Sequence, residues 1–323
     1  MVESLRRPVR LLGDVRYSHL RRIAGSSKVR DMAGVAQQGR AVEVRDVVVE
    51  LLPARNRLLA ALRVKDAAAE AQLRAGLETV ELKLHARVMS PDRPIRHVYF
   101  PETGVLSEIQ TMRNGSAVEV NLVGSDGMAG LAVYLGGVSF PVEVICQAPG
   151  TFLRMRANDF RAEVARSAPL LNVLHGYTQA ILAIRSQAIG CDRFHAVEAR
   201  AARWLLEMDD RVPHEEFTMT HEFLALMLGV RRQTVSAVAE ELSRRGCIAY
   251  RRGFIRIADR AALEAAACEC YEVIRDEFAR LVGAPIPRQP PSPTRDDDDA
   301  AADRRPGDAA QTGARGSRRR SSD

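Results

Sequence analysis

Between about Thr79 and Leu153 the apolar positions come in short runs, HVYF, SAVEVNLV and PVEVICQ among them, cut by SPDRP, PETG, RNG, GSDG, GG and APG. β-Branched runs of this length, broken by turn residues, predict the antiparallel strands of a compact barrel or sandwich. On either side the period changes to that of helices. Leu58, Leu59 and Leu62, then Ala67 to Leu73, predict small helices between Asn56 and about Ala75, packed beside the sheet. Asn158 begins a short helix, and Ser167 with Pro169 opens a longer one, because a first-turn proline lacks only an N–H that has no helical partner. Along this helix Leu170, Leu174, Tyr177, Ile181, Ile184 and Ala188 follow one another at steps of 4, 3, 4, 3 and 4. That is the repeat of a coiled-coil seam, and it needs a partner: a second subunit, or the protein's own sheet. Further apolar residues at Leu171, Val173 and Leu182 favour one face on the strand domain and the other on a second copy. His195 to Asp210 predicts another helix, with Val197, Ala201, Trp204, Leu205 and Met208 on its apolar side; a last helix is expected from Arg260 to about Val282.

Residues 219–258 carry the most specific pattern. Thr220 can cap a first helix, Glu222 suits the positive end of its dipole, and Phe223, Leu224, Met227 and Leu228 form its apolar face. Gly229 ends it, glycine being the residue that enters the left-handed region without a Cβ penalty. A second helix from about Arg231 to Arg245 turns Val235, Val238 and Leu242 inward, and Ala225 is small enough for the two helices to cross closely. Arg231, Arg232, Gln233, Thr234, Ser236 and Ala237 occupy the N-terminal part of the second helix, the end that a helix-turn-helix presents to base edges. Two strands follow, Cys247 to Tyr250 and Phe254 to Ile257, joined by Arg251-Arg252-Gly253, so that two arginines at the hairpin tip can meet phosphates. Each piece also suits an ordinary helical hairpin; their coincidence is what points to a winged helix-turn-helix, with Thr220, Arg251 and Arg252 among its DNA contacts.

At these residues the chain resembles the Crp/Fnr family of bacterial transcription regulators. The segment RHVYFPETGVLSEIQTMRNGSAVEVNLVGSDGMAGLAVYLGG, residues 96–137, is similar to that family's sensor domain, so the likeness covers roughly residues 50–282. The resemblance implies an α+β fold: an N-terminal antiparallel β-roll of cyclic-nucleotide-binding type, a long dimerisation helix and a C-terminal winged helix-turn-helix. It places the β-roll in residues 49–157, a short helix and the dimer helix in 158–193, and the DNA-binding domain in 194–283. It implies a homodimer on a pseudo-palindromic operator, with RNA polymerase and an unknown effector as further partners. Ala237 stands where some members carry an arginine, so no operator sequence carries over.

Members that bind a cyclic nucleotide hold its phosphate with an arginine next to Ser or Thr, and its ribose with a glutamate after a glycine. Here Met128 takes the glutamate's place within Gly127-Met128-Ala129-Gly130-Leu131, and the arginine's neighbourhood reads Gly136 to Pro141 around Ser139. No Lys, Arg or His occurs from Asn114 to Leu153, whereas a buried phosphate calls for a charge-assisted partner. Gly127, Met128, Gly130 and Ser139 are the candidate effector contacts, for something other than a cyclic nucleotide.

Composition adds limits. A formal net charge of +6 fits a polyanion partner but argues only for non-specific attraction. No run reaches the ~18 apolar residues of a membrane span, and the arginine-rich N-terminus lacks the apolar stretch of a signal peptide, so a cytoplasmic protein is expected. Residues 1–48 read as a disordered basic arm or an over-extended gene start, and 284–323, with DDDD and RRR, as a disordered tail. Five cysteines include no C-x-x-C pair, which argues against a disulfide framework, a zinc site or an iron-sulfur cluster. Cys268 and Cys270, two apart on an expected helix, would point about 200° apart and could not chelate one metal without unwinding it; a packing role or a redox-sensitive thiol remains for them. His85, His97 and His175 are conceivable haem ligands, but a single histidine is more often a hydrogen-bonded structural residue. No metal and no cofactor is expected. Catalytic motifs such as G-x-S-x-G, a Walker loop or H-E-x-x-H are missing, and Asp209-Asp210 at a helix end reads as a solvated pair, so an enzyme is disfavoured. The competing class is a ligand-responsive module acting on a protein partner, which would want a less charged second helix.

Overall fold

Two helices cap the start of the strand region because their N-terminal N–H groups find side-chain acceptors. The computed structural model describes residues 55–212 and 216–283; the expected basic arm and tail lie outside these residues. Helix α1 (Arg57–Lys65) and helix α2 (Ala67–Ala75) are capped by Asn56 and Asp66. Buried Asn56 accepts from Leu58 N and Leu59 N at 3.1 and 3.3 Å and donates to the carbonyls of Pro101 and Gly127 at 3.0 and 2.8 Å, so one side chain ties α1 to two loops of the β-roll.

The strands are β1 (Glu78–Leu82), β2 (Arg87–Met89), β3 (His97–Pro101), β4 (Val105–Thr111), β5 (Ala117–Val123), β6 (Glu143–Ala148) and β7 (Gly150–Arg156). They pair antiparallel in two sheets, β1-β7-β3 and β2-β6-β4-β5, as the alternation and turn signals predict. Strand β4 is buried along most of its length because both its faces are covered. Leu106 packs with Tyr99, Val123 and Phe152 inside the roll, whereas Val105 and Ile109 pack with Trp204, Leu205 and Leu228 of the C-terminal half.

Helix α3 (Ala157–Arg166) leads to the 27-residue α4 (Ala168–Phe194), whose N-terminus is capped by Ser167 through Leu170 N. The expected intersubunit seam is filled by the chain itself. Leu170, Leu174, Tyr177 and Ile181 are buried against Leu58, Leu59, Met128 and Phe278, with Ile184 at the edge, and Tyr177 Oη exchanges 3.2 Å hydrogen bonds with the backbone of Met128. Ala188 lines a small crevice beside Trp204. A period of 3.5 marks a buried face without specifying what buries it. The side of α4 left to solvent carries Leu182 and Ile189, 62% and 73% exposed.

After α5 (Val197–Asp209), the short strand β8 (Glu216–Thr218) precedes α6 (His221–Leu228), α7 (Arg232–Arg244), β9 (Ile248–Arg251) and β10 (Phe254–Ile257). Strand β8 was not visible in the sequence. It makes the wing three-stranded in the order β8-β10-β9.

The single helix expected from Arg260 to about Val282 is two: α8 (Arg260–Ala266) and α9 (Cys270–Val282). A straight helix could not satisfy both apolar faces. Leu263 belongs to the core of the winged domain, while Phe278 and Val282 pack on α4. Cys268 therefore lies in a break and Cys270 begins the next helix, both buried together with Cys191, which removes the premise that they diverge around one helix axis. Asp209 and Asp210 are also not solvated. Both are buried: Arg260 reaches Asp209 at 2.5 Å and Asp210 at 2.7 Å, Arg275 reaches Asp210 at 2.7 Å, and Tyr271 Oη donates to Asp210 at 2.7 Å.

Candidate nucleic-acid interface

Local capping builds the helix-turn-helix. Thr220 Oγ1 accepts from Phe223 N at 3.1 Å, and Gly229 closes α6 at φ +64°. A Cβ at Gly229 would also stand 3.2 Å from Val118 of β5, so glycine serves both the left-handed turn and the close approach to the β-roll. Helix α7 turns Val235, Ala239 and Leu242 inward against the winged core. Its start is fully displayed: Arg231, Arg232, Gln233, Thr234 and Ala237 are exposed, and Ser236 is half-buried.

His221 holds the interface together, a role that no local motif announces. Its Nδ1 lies 3.0 Å from Ser236 Oγ, and its ring stacks on Tyr250 of the wing at 4.5 Å between centroids. Met219 N donates to the Gly253 carbonyl at 2.7 Å, bringing exposed Thr220 beside the wing turn. Thr220, the start of α7 and the hairpin Arg251-Arg252-Gly253 are thus brought to one side of the domain. Burial, with the nearby Arg232 charge adding to it, holds the His221 imidazole below its ordinary pKa. Arg251 and Arg252 are exposed, and among the described residues neither they nor Arg231 and Arg232 form an ion pair. Four guanidinium groups on this side are free to accept an anionic partner, while Arg244 and Arg245 at the far end of α7 are engaged by Glu241 and Glu198.

Residues 199–266 match the family model described as a Crp-like helix-turn-helix domain. A solved CRP/FNR-family transcriptional regulator of Thermus thermophilus, TTHA1359, is 25% identical over 59% of this chain and 98% of that one, with a TM-score of 0.50. Residues 199–266 are thus a Crp-like helix-turn-helix domain, and the fold is similar to that of Crp/Fnr-family regulators. FixK2 of Bradyrhizobium japonicum shares the fold at 17% identity, over 59% of this chain and 98% of its own, with a TM-score of 0.51. The same holds for the c-di-GMP-responsive regulator CLP of Xanthomonas campestris, at 16% identity, 60% and 100% coverage and a TM-score of 0.50. No curated protein sequence matches. The chain accordingly carries a Crp-like helix-turn-helix DNA-binding domain, and no helix among its described residues is long and apolar enough to cross a membrane.

The β-roll borders a cavity of about 370 Å³ between its sheets and α4. Met128, Gly130 and Ser139 line it; Gly127 does not, and faces the crevice behind Tyr177 instead. The cavity walls are mostly apolar, including Ile95, Leu131, Phe140, Val142 and Ile181. Its charged groups are Glu108 and Arg185, paired at 2.5 Å, with Arg185 lying 5.8 Å over the Phe140 ring. Burial raises the Glu108 carboxyl above its ordinary range, opposed by Arg185. The window Asn114 to Leu153 indeed lacks cations, but α4 delivers Arg185 from outside it. A pair 77 residues apart leaves no local sequence signal.

Proposed function

We propose that the protein is a homodimeric, sequence-specific regulator of transcription, that α7 reads bases in the major groove, and that the wing clamps phosphates. The observation that carries this reading is the exposed, unpaired set Arg231, Arg232, Gln233, Arg251 and Arg252 on the side organised by His221. Arg232 and Gln233 are the base readers, since Arg pairs with guanine and Gln with adenine through two parallel hydrogen bonds. Thr220, Arg231, Thr234, Ser236, Arg251 and Arg252 position the domain on the backbone, and Ala237 leaves room for a thymine methyl. Two copies place two such helices about one turn of DNA apart, which calls for a pseudo-palindromic site.

With the inner face of α4 occupied, the second copy docks on its outer face, where Leu182 and Ile189 are two turns apart on one side of the helix. Leu182 also borders the cavity mouth, so dimerisation and cavity closure are linked. The cavity is the effector site. Its apolar walls and ion pair suit a compact, mainly apolar molecule rather than a nucleotide phosphate, because the only cation lining it among the described residues is already neutralised by Glu108. The effector shifts the population between arrangements of the winged domain relative to the β-roll.

Selection of genomic fragments by the protein, followed by gel shifts across a salt series, tests the DNA reading. Gln233→Ala and Arg232→Ala each weaken the selected site by about 1–3 kcal/mol and relax its sequence preference. Arg251→Ala with Arg252→Ala weakens all sequences alike and lowers the salt slope by about 0.9 for each phosphate that goes unneutralised. Site selectivity that survives both α7 substitutions refutes the assignment of the reader.

A further inference from the structure

The end of α4 and the break between α8 and α9 bring together four groups that the DNA-binding reading does not use. Cys191 sits in the last turn of α4, and His195, four residues on, is its C-cap. Cys268 lies in the break and Cys270 opens α9. Cys191 Sγ lies 3.6 Å from Cys268 Sγ, and Cys270 Sγ lies 3.5 Å from His195 Nδ1. All four donor atoms fall within 4.8 Å of one another.

We propose that Cys191, His195, Cys268 and Cys270 form a binding site for one zinc ion, with three thiolates and one imidazole as ligands. The spacing is that of a single tetrahedral centre. Bonds of about 2.3 Å to sulfur and about 2.0–2.1 Å to nitrogen put tetrahedral ligands roughly 3.5–3.8 Å apart, the separation already present for two of the pairs. The 3.6 Å between sulfurs is far beyond the ~2.05 Å of a disulfide. A cluster of several irons would spread its cysteines by its own width, which a set confined to 4.8 Å does not provide.

The surroundings fit an ion better than apolar packing. Thiols in a core pack as small hydrophobes and ask for no polar neighbours. Here an imidazole nitrogen points at them, and Gln187 Nε2 donates to Cys270 Sγ at 3.0 Å. On the far side of the ring, His195 Nε2 lies 3.1 Å from Glu269 Oε1, the carboxylate–imidazole arrangement that fixes a ligand's tautomer and orientation with Nδ1 facing inward. Zinc with three thiolates carries one net negative charge. The guanidinium of buried Arg203, paired with Glu207 at 2.7 Å, also lies near enough to interact with Cys191 and Cys268, and its Nε has no hydrogen-bond partner among the described residues, so it adds positive potential at the site. The chain spacing, C-x3-H at a helix end and C-x-C in a turn, brings each pair to the site from one short segment. The ion would fasten the helix leaving the β-roll to the segment that follows the wing, at the point where α5 opens the DNA-binding domain.

Elemental analysis of the full-length protein, grown with zinc and freed of loose metal by gel filtration, tests this. About one zinc per chain is expected. Replacement by cobalt should give the visible bands of a tetrahedral ion together with sulfur-to-cobalt charge transfer. Cys268→Ser and His195→Ala should lose the metal, Glu269→Gln should weaken its binding about tenfold or more, and Cys247→Ala, which alters a buried cysteine elsewhere, should keep it. Wild-type protein that holds no more zinc than the Cys191→Ser, Cys268→Ser double variant, or takes up cobalt without thiolate charge transfer, overturns the proposal. An intact mass two hydrogens short, marking a disulfide, overturns it as well. These readouts need neither an operator nor an effector.

Discussion

The Glu119 carboxylate shows how one residue can make the contact between β-roll and winged domain depend on pH. Trp204 Nε1 donates to its Oε1 at 2.6 Å, while Oε2 is buried without a partner. Burial pushes the Glu119 carboxyl from 4.5 up to about 7, against the opposing hydrogen bond from Trp204. A carboxyl whose folded pKa is raised keeps its proton while the unfolded chain has already lost it. Stability therefore falls as pH rises from 4.5 to about 7, by at most about 3 kcal/mol, and the loss is complete above that window. Asp209, raised to about 6 mainly by burial, contributes in the same sense at lower pH. Glu119→Gln should remove the Glu119 part, so the difference between the two urea-midpoint profiles isolates it. Trp204, the only tryptophan, reports the transition by fluorescence. Parallel profiles for the two proteins would show that Glu119 is not the source. Gly229→Ala should cost at least about 1–2 kcal/mol, since it combines a left-handed φ with a Cβ pressed on Val118, and a thermal melt measures it.

Among helices and strands, periodicity and capping residues were enough to place α4, α6, α7, most of the β-roll strands and strands β9 and β10 of the wing. Thr220, Ser167 and Gly229 mark helix ends through local hydrogen bonds and local φ, and local rules are written in local sequence. The misses share a cause. The α8–α9 break, β8, the burial of Asp209 and Asp210 and the occupant of the α4 seam are all decided by residues far away in the chain. The candidate site divides in the same way: helix α7 with its exposed basic start and the wing tip were legible as elements, whereas His221, the Glu108–Arg185 pair and the convergence on Cys191 were not. Asp210 shows the energetic weight of such distant contacts, because Arg260, Arg275 and Tyr271 all converge on it. Asp210→Ala removes the carboxylate shared by two largely buried guanidinium groups, Arg260 keeping Asp209, and should destabilise the fold by up to about 3–5 kcal/mol. Tyr271→Phe removes one hydrogen bond to the same carboxylate and should cost about 1.5–3 kcal/mol. Urea denaturation followed by circular dichroism separates the two; equal costs would mean that the charges are not what the network holds together.

For the molecule as a whole, β-roll and winged domain lie in one structural unit that begins at Ala54, and they share a core. Arg211 reinforces it by holding Asp126 with two hydrogen bonds, at 2.5 and 3.2 Å, both residues being buried. In this arrangement the turn of the helix-turn-helix rests on Val118 while α7 packs on α5, α6 and β9, so its basic start stays exposed. What the single chain leaves uncovered is the outer face of α4. If that face joins two copies, charges placed there should abolish the dimer without disturbing the β-roll, because Leu182 and Ile189 are exposed in the monomer. Leu182→Glu with Ile189→Glu should then sediment as a monomer, keep the wild-type melting profile and bind a single half-site with unchanged affinity. It should lose the added affinity of a paired site, which comes from the second copy's contacts at high effective concentration and can reach roughly 10²–10⁴-fold. A double variant that still sediments as a dimer would move the two-fold axis to another surface. One that is monomeric yet still prefers the paired site would separate operator recognition from dimerisation through α4, because symmetry in the DNA would then have to be read by something other than the helix pair.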